Sequence, residues 1–240
     1  MTTFVFNNIF KIIILIAVAV SIAISRPVLA QEKANLEFLL GFNASKINGG
    51  YLAGNSGMTP SNYNLGFQLG LSLRYKYASF VDLLPQVEFI KKGSKWGQPT
   101  LAIIYEGDYI NYEISYVQFT LNHAFHLCSS RKRGLDFLLG IYGAYKLNAS
   151  ERWVFENTPE GGLPPGNLND YLSDWDAGLS LGIRLFSMKS RVSLMLRYDH
   201  GLKQINNTAE KRALIDFEEK SSQRMRGIFL TIGIKLKSYH

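Results

Sequence analysis

The sequence predicts an all-β chain, an eight-stranded antiparallel transmembrane β-barrel with its N- and C-termini in the periplasm. Three observations predict it. Strands of strict period two run longer than a soluble sheet needs, the connections between them alternate long and short, and the N-terminus has the form of an export signal.

Residues 1–30 contain no acid, and Lys11 precedes an apolar run from Ile12 to Ile24 broken only by Ser21. A helix that spans a bilayer needs about 20 apolar residues, so the run is short for an anchor and fits the core of a secretory signal peptide. Small residues at the −3 and −1 positions of Val28-Leu29-Ala30 predict cleavage before Gln31, leaving 31–240 as the barrel domain. An uncleaved N-terminal anchor is the alternative.

Composition narrows the classes. Apolar residues make up 47% and charged residues 19%, which excludes a disordered chain. A single cysteine, Cys128, excludes an internal disulfide framework and a multi-cysteine zinc site. The net charge of +7 is spread along the chain, with Arg131-Lys132-Arg133 its longest basic cluster, so no nucleic-acid partner is expected.

Alternation is clearest in four stretches. Leu65, Phe67, Leu69, Leu71 and Leu73 alternate with Gly66, Gln68, Gly70, Ser72 and Arg74. Trp175 to Leu185 alternates with Asp174 to Arg184, Val192 to Tyr198 with Ser193 to Asp199, and Ile228 to Leu236 with Gly227 to Lys235. Weaker copies lie at 34–45, 83–92, 112–125 and 134–147. Most exceed the five or six residues of a soluble strand and match the 9–11 or so that cross a bilayer at a tilt. The intervening segments are 46–64, 75–82, 93–111, 126–133, 148–173, 186–190 and 203–223, long and short in strict alternation. Outer-membrane barrels have short periplasmic turns and long outer loops; a soluble sandwich has no reason to collect its long loops at one end.

One face of each strand is Leu, Ile, Val and Phe. The other holds Gly and the charges Glu37, Arg74, Glu88, Glu113, Asp176, Arg184, Arg197, Asp199 and Lys235. In a membrane barrel these charges form a mixed-sign lumen network, because unpaired buried charges would be very costly. The glycines leave room for them in a narrow lumen. Tyr63, Tyr145, Trp175 and Tyr198 near the long-loop side, with Phe80, Phe125 and Phe137 near the short-turn side, read as aromatic girdles at the two interfaces. With Tyr142 and Gln86 added, the lumen of so small a barrel is expected to be filled by side chains, with no general pore. A soluble lipocalin-like barrel, apolar faces inward, is the alternative fold.

Leu84-Pro85-Gln86-Val87-Glu88-Phe89-Ile90-Lys91-Lys92-Gly93, Tyr112-Glu113-Ile114, Gly140-Ile141-Tyr142-Gly143-Ala144-Tyr145 and Arg197-Tyr198-Asp199-His200-Gly201-Leu202 together make the chain resemble the PorT-type outer membrane protein beta-barrel family common in Bacteroidetes. The likeness covers most of 34–236, and Ser115 stands where the family usually has a Pro. It implies an outer-membrane barrel and, from some relatives, a service to protein secretion.

Chemistry is sparse. In a strand, Asp199 and His200 point to opposite faces, so they do not make a dyad. Ser115 and His123 share a parity with Glu113, but eight residues at about 3.4 Å each keep them from bonding. His126 and His240 have no evident partner, and Cys128 is placed in a short turn. Glu151, Glu156, Glu160, Asp170, Asp174 and Asp176 lack calcium-loop spacing. No catalytic residue, metal or cofactor is therefore expected. Trp153, Phe155 and Tyr171, around the bent Gly161–Gly166 tip of the third long loop, are candidate contact residues. Ala209–Phe217 in the fourth long loop has helix-forming composition.

The expected protein is a non-enzymatic scaffold or binding barrel, or an accessory to secretion. Its expected partners are outer-membrane lipids, the barrel-assembly machinery during insertion, and secretion or surface proteins. The alternatives are a lipid- or peptide-modifying barrel enzyme using Glu113, Asp199 or His200, and a small-solute channel.

Overall fold

A computed structural model describes residues 34–48, 62–76, 78, 80–97, 109–129, 133–154, 166–169, 172–187, 191–205 and 223–238. The signal segment, Phe155, Tyr171, His240 and the 209–217 stretch lie outside them. The described residues form strands β1 (Asn35–Asn48), β2 (Asn62–Lys76), β3 (Val81–Gly97), β4 (Tyr109–Ser129), β5 (Arg133–Val154), β6 (Gly166–Asn167), β7 (Trp175–Ser187), β8 (Val192–Gly201) and β9 (Arg224–Ser238).

Eight of these strands are staves of one closed antiparallel barrel. Each pairs with the next along the chain, β5 passing directly to β7, and β1 closes the ring on β9 from Asn35↔Ser238 to Asn48↔Arg224. Closure leaves no stave with a free edge, which is the condition for placing β structure in hydrocarbon. β6 is a two-residue addition that pairs with Ser150 and Glu151 of β5.

Side-chain parity settles which face is which. Leu65 is 81% exposed and Phe42 73%, while Arg197, Asp176 and Lys92 on the other parity are buried to within 2%. A soluble barrel would invert this pattern, because burying apolar area is what folds a chain in water. The soluble lipocalin-like alternative is thereby overturned. The apolar surface faces lipid and the core lies in the lumen.

The staves are unequal. β3, β4 and β5 run well past the expected 83–92, 112–125 and 134–147, while β8 has ten residues. The alternating pattern fades at their ends because the long-loop ends of β4 and β5 carry inward-facing apolar residues such as Ile110, Ile114 and Ala149. The short connections shrink accordingly to 77–80, 130–132 and 188–191. Cys128 consequently belongs to β4, opposite Leu135, and not to a turn.

The outward aromatics sort by end. Tyr145 and Trp175 are cross-strand partners in edge-to-face contact, ring centres 5.0 Å apart, at the long-loop end. Phe137, Phe125 and the exposed Phe80 mark the short-turn end.

Candidate functional site

The lumen is stacked in layers that the register of the staves imposes. Nearest the short turns lies a first ionic layer. Arg74 of β2 binds Asp82 of β3 and sits 3.8 Å from Asp136 of β5. The His126 ring lies between the same two acids, Nδ1 2.6 Å from Asp136 and Nε2 3.3 Å from Asp82. Across the barrel Arg184 of β7 binds Glu37 of β1. The guanidinium of Arg74 lies 4.4 Å from the centre of the Phe186 ring. Arg74 and His126 retain 16% and 17% of their side-chain exposure.

Above this layer Leu84, Ala124, Leu138 and Met195 form an apolar septum. Above the septum lies a second ionic layer, fully buried. Arg197 of β8 is 2.7 Å from Glu88 Oε2 and 3.2 Å from Asp199 Oδ1, and it donates to Gln86 at 2.9 Å. Gln118 donates to Asp199 at 2.9 Å and accepts from Lys92 at 2.8 Å. The Lys92 amine lies 3.9 Å from Asp176 and 4.7 Å from the centre of the Tyr142 ring. The Tyr142 hydroxyl donates to Asp176 at 3.1 Å. Such fully buried charges are tolerable only when paired and hydrogen-bonded.

Space for these side chains comes from glycine on the facing strand. A Cβ on Gly70 would meet the Val87 carbonyl and stand 2.9 Å from Glu88 Cγ, and one on Gly178 would meet the His200 carbonyl and stand 2.8 Å from the Tyr142 ring. Glycine at these positions admits both the neighbouring strand's backbone and the large side chain packed over it.

The top layer is an apolar lid. Ile110, Tyr112 and Ile114 of β4 meet Ile47, Met225 and the loop residues Leu168, Leu172 and Ile205. Backbone bonds stitch those loops together: Leu168 N–H donates to Ala149 at 3.0 Å, Ser173 to Ile205 at 2.6 Å and Ile205 to Gln223 at 2.9 Å. Lys146 ties the lid to β5, donating to the carbonyls of Asn169 and Leu172 and lying 3.2 Å from Asp174.

Of the charges expected in the lumen, Glu37, Arg74, Glu88, Asp176, Arg184, Arg197 and Asp199 lie in these layers, and Lys235 lies on the inward parity opposite Glu37. Glu113 is a correction. It shares the outward parity of Val117 and Phe119, is about one-third exposed and binds Lys91 at 2.6 Å on the outer surface. Parity on β4 is read from Gln118, Thr120 and Asn122, and Glu113 is odd where they are even. His126 is a second correction, since it has two carboxylate partners. Lys92, Asp82 and Asp136 were missed. Lys92 and Asp136 lie inside the expected stretches, in phase with Glu88 and with Gly140 and Tyr142, and extending 83–92 by one residue reaches Asp82.

The residues considered for catalysis do not converge. His200 faces outward and its Nδ1 lies 3.2 Å from the Tyr198 hydroxyl, while Asp199 points inward to Arg197. His123 is outward beside Phe125, ring centres 6.4 Å apart. Among the described residues no group of three or more His, Cys, Asp or Glu could hold a metal ion. Of the loop candidates, Trp153 lies on β5 opposite Ile110. Phe155 and Tyr171 lie outside the described residues.

A closed antiparallel barrel with apolar residues outside and salt-bridged residues inside defines a membrane-spanning β-barrel protein. The family model of the outer membrane protein beta-barrel domain matches residues 29–207, and the chain belongs to that family. It resides in the outer membrane. Among solved structures it is similar to OprG of Pseudomonas aeruginosa (12% identical, 87% of this chain and 95% of that chain, TM-score 0.45). It is also similar to Neisserial surface protein A (10%, 85% and 99%, TM-score 0.40) and to the attachment invasion locus protein Ail of Yersinia pestis (13%, 85% and 99%, TM-score 0.38). No curated protein sequence matches the chain.

Proposed function

We propose that the protein is a non-enzymatic outer-membrane barrel of the PorT type whose lumen is closed to diffusion. Its termini and short turns face the periplasm, and its work is done outside the lumen, by long loops that serve as a scaffold or binding surface or assist secretion. One observation carries this proposal: among the described residues, two ionic layers, an apolar septum and an apolar lid with residues from two loops lie stacked along the lumen. A solute would have to break paired, buried charges, which costs several kcal/mol per pair. The lid also gives the loops a fixed footing, and loops seated on a rigid scaffold are where binding function concentrates. Its partners are outer-membrane lipids, the assembly machinery during insertion, and secretion or surface proteins. The lack of convergence among Glu113, Asp199 and His200 speaks against an enzyme built on them.

Two measurements test the proposal. In planar bilayers the folded protein is expected to give no steady single-channel current; a sustained current would establish the channel alternative. In a Cys128→Ser background, Ser56→Cys in a long loop is expected to react with an impermeant maleimide on intact cells, and Lys132→Cys in a short turn only after permeabilisation. The reverse pattern would overturn the orientation.

A further inference from the structure

The two rims of the lipid-facing wall differ in chemistry. At the short-turn end most outward strand positions are apolar, among them Phe38, Leu83, Phe137, Leu185 and Leu236, with His123 beside them and the exposed Lys76 and Arg191 at the turns. At the long-loop end three strands carry outward cations: Lys46 on β1, Arg224 and Arg226 on β9, and Lys91 and Lys95 on β3. Register sets Arg226 directly opposite Lys46 and Arg224 opposite Asn48. With its amide oxygen turned to the guanidinium, Asn48 accepts from Arg226 at 2.8 and 3.1 Å and fixes its fork. The Lys46 amine lies 4.9 Å from the centre of the Tyr63 ring, and that of Lys95 5.1 Å from the Tyr109 ring. Lys91 is taken up by Glu113 at 2.6 Å. Among the described residues, no salt bridge takes up Lys46, Arg224 or Arg226.

Depth matters as much as charge. Tyr198 of the girdle pairs with Ile228, and two residues further out His200 pairs with Arg226. Arg226 thus stands about 7 Å further along the strand than the aromatic level, roughly 5 Å in height at a tilt of about 40°. That is where hydrocarbon gives way to headgroups. A cation costs about 2–4 kcal/mol at the bilayer midplane and close to nothing at the interface, so the cost alone permits cations at either rim and does not choose one. An opposed Lys–Arg pair, some 5 Å apart on neighbouring strands, fits the oxygens of one phosphate, which Arg grips with two parallel N–H donors.

We propose that Lys46 and Arg226, flanked by Arg224, form a site for the phosphate of a phosphorylated glycolipid in the outer leaflet. This rests on the reading that the long-loop end faces outward. Lys91 and Lys95 stand apart on β3, with β2 between them and Lys46.

The test uses the full-length protein in nanodiscs, titrated with bisphosphoryl lipid A and with its dephosphorylated form. Wild type is expected to hold the bisphosphoryl form at least about tenfold more tightly. K46Q/R226Q is expected to lose roughly 25-fold of that affinity, at about fivefold per cation. A boiling-dependent gel-mobility shift certifies that each variant is folded. Equal binding of both lipids by folded wild type, or a K46Q/R226Q protein that binds as wild type does, would overturn the site. Maleimide labelling of Ser56→Cys on intact cells decides the orientation separately. Labelling with equal lipid binding sinks only the site, whereas labelling that needs permeabilisation sinks both.

Discussion

The two ionic layers of the lumen are built from the same residue types and have different energetic stakes. The layer around Arg197, Glu88, Asp199, Lys92 and Asp176 is sealed between the Leu84–Met195 septum and the apolar lid. The layer around Arg74, Asp82, His126 and Asp136 sits at the short-turn end, where the Arg74 and His126 side chains keep some access to water while the two acids are buried. In the sealed layer a charge that loses its partner has nowhere to go. At the short-turn end, the His126 ring remains as a second partner of both acids. The comparison teaches that pairing in this lumen is a requirement of burial more than a source of stability, since buried ion pairs often only break even against apolar replacements.

The comparison can be broken most forcefully at its centre. Arg197→Ala leaves Glu88 and Asp199 buried without their cation, and the barrel is expected to lose about 3–5 kcal/mol, read as an earlier urea midpoint for detergent-folded protein. A loss below about 1 kcal/mol would mean that water reaches the layer. Next in size, Gly178→Ala drives a methyl against the His200 carbonyl of β8 and to 2.8 Å from the ring of Tyr142, whose hydroxyl donates to Asp176. Overpacking of this kind is expected to cost about 1–3 kcal/mol, by the same measurement. Arg74→Ala at the short-turn end is expected to cost only about 1–2 kcal/mol, because His126 still bridges Asp82 and Asp136. A cost equal to that of Arg197→Ala would erase the distinction between the layers. Salt gives the smallest effect and the sharpest contrast. Raising ionic strength to 1 M shortens the Debye length to about 3 Å. The gap between wild type and Arg74→Ala should shrink, and the gap for Arg197→Ala should hold.

Much of the barrel is legible in the chain, and where legibility fails the reasons are physical. Alternation from Leu65 to Arg74, or from Trp175 to Leu185, is read directly because lipid demands apolar residues on every second position over a whole crossing. Glu113 was misplaced because β4 changes character along its length: inward polar residues at Gln118 and Thr120 give way to inward Ile114 and Tyr112 near the lid. Judged by polarity alone, Glu113 reads as inward; judged by phase with Gln118, it reads as outward. His126 lacked a visible partner because Asp82 and Asp136 lie on two other strands, and only the cross-strand register brings all three together. The lid was invisible for the same reason: Leu168, Leu172 and Ile205 come from two loops that meet at the long-loop end of the lumen.

The sequence by itself determined the strand period, the alternation of long and short connections, and the chemistry of the two faces, since each follows from residues close together in the chain. The tertiary structure alone decided which charges pair and which stand sealed from water. It also decided how the loops close the lumen and that Lys46 faces Arg226 across β1 and β9. Those are relations between residues far apart in sequence, set by register and by closure of the ring, and no local pattern encodes them.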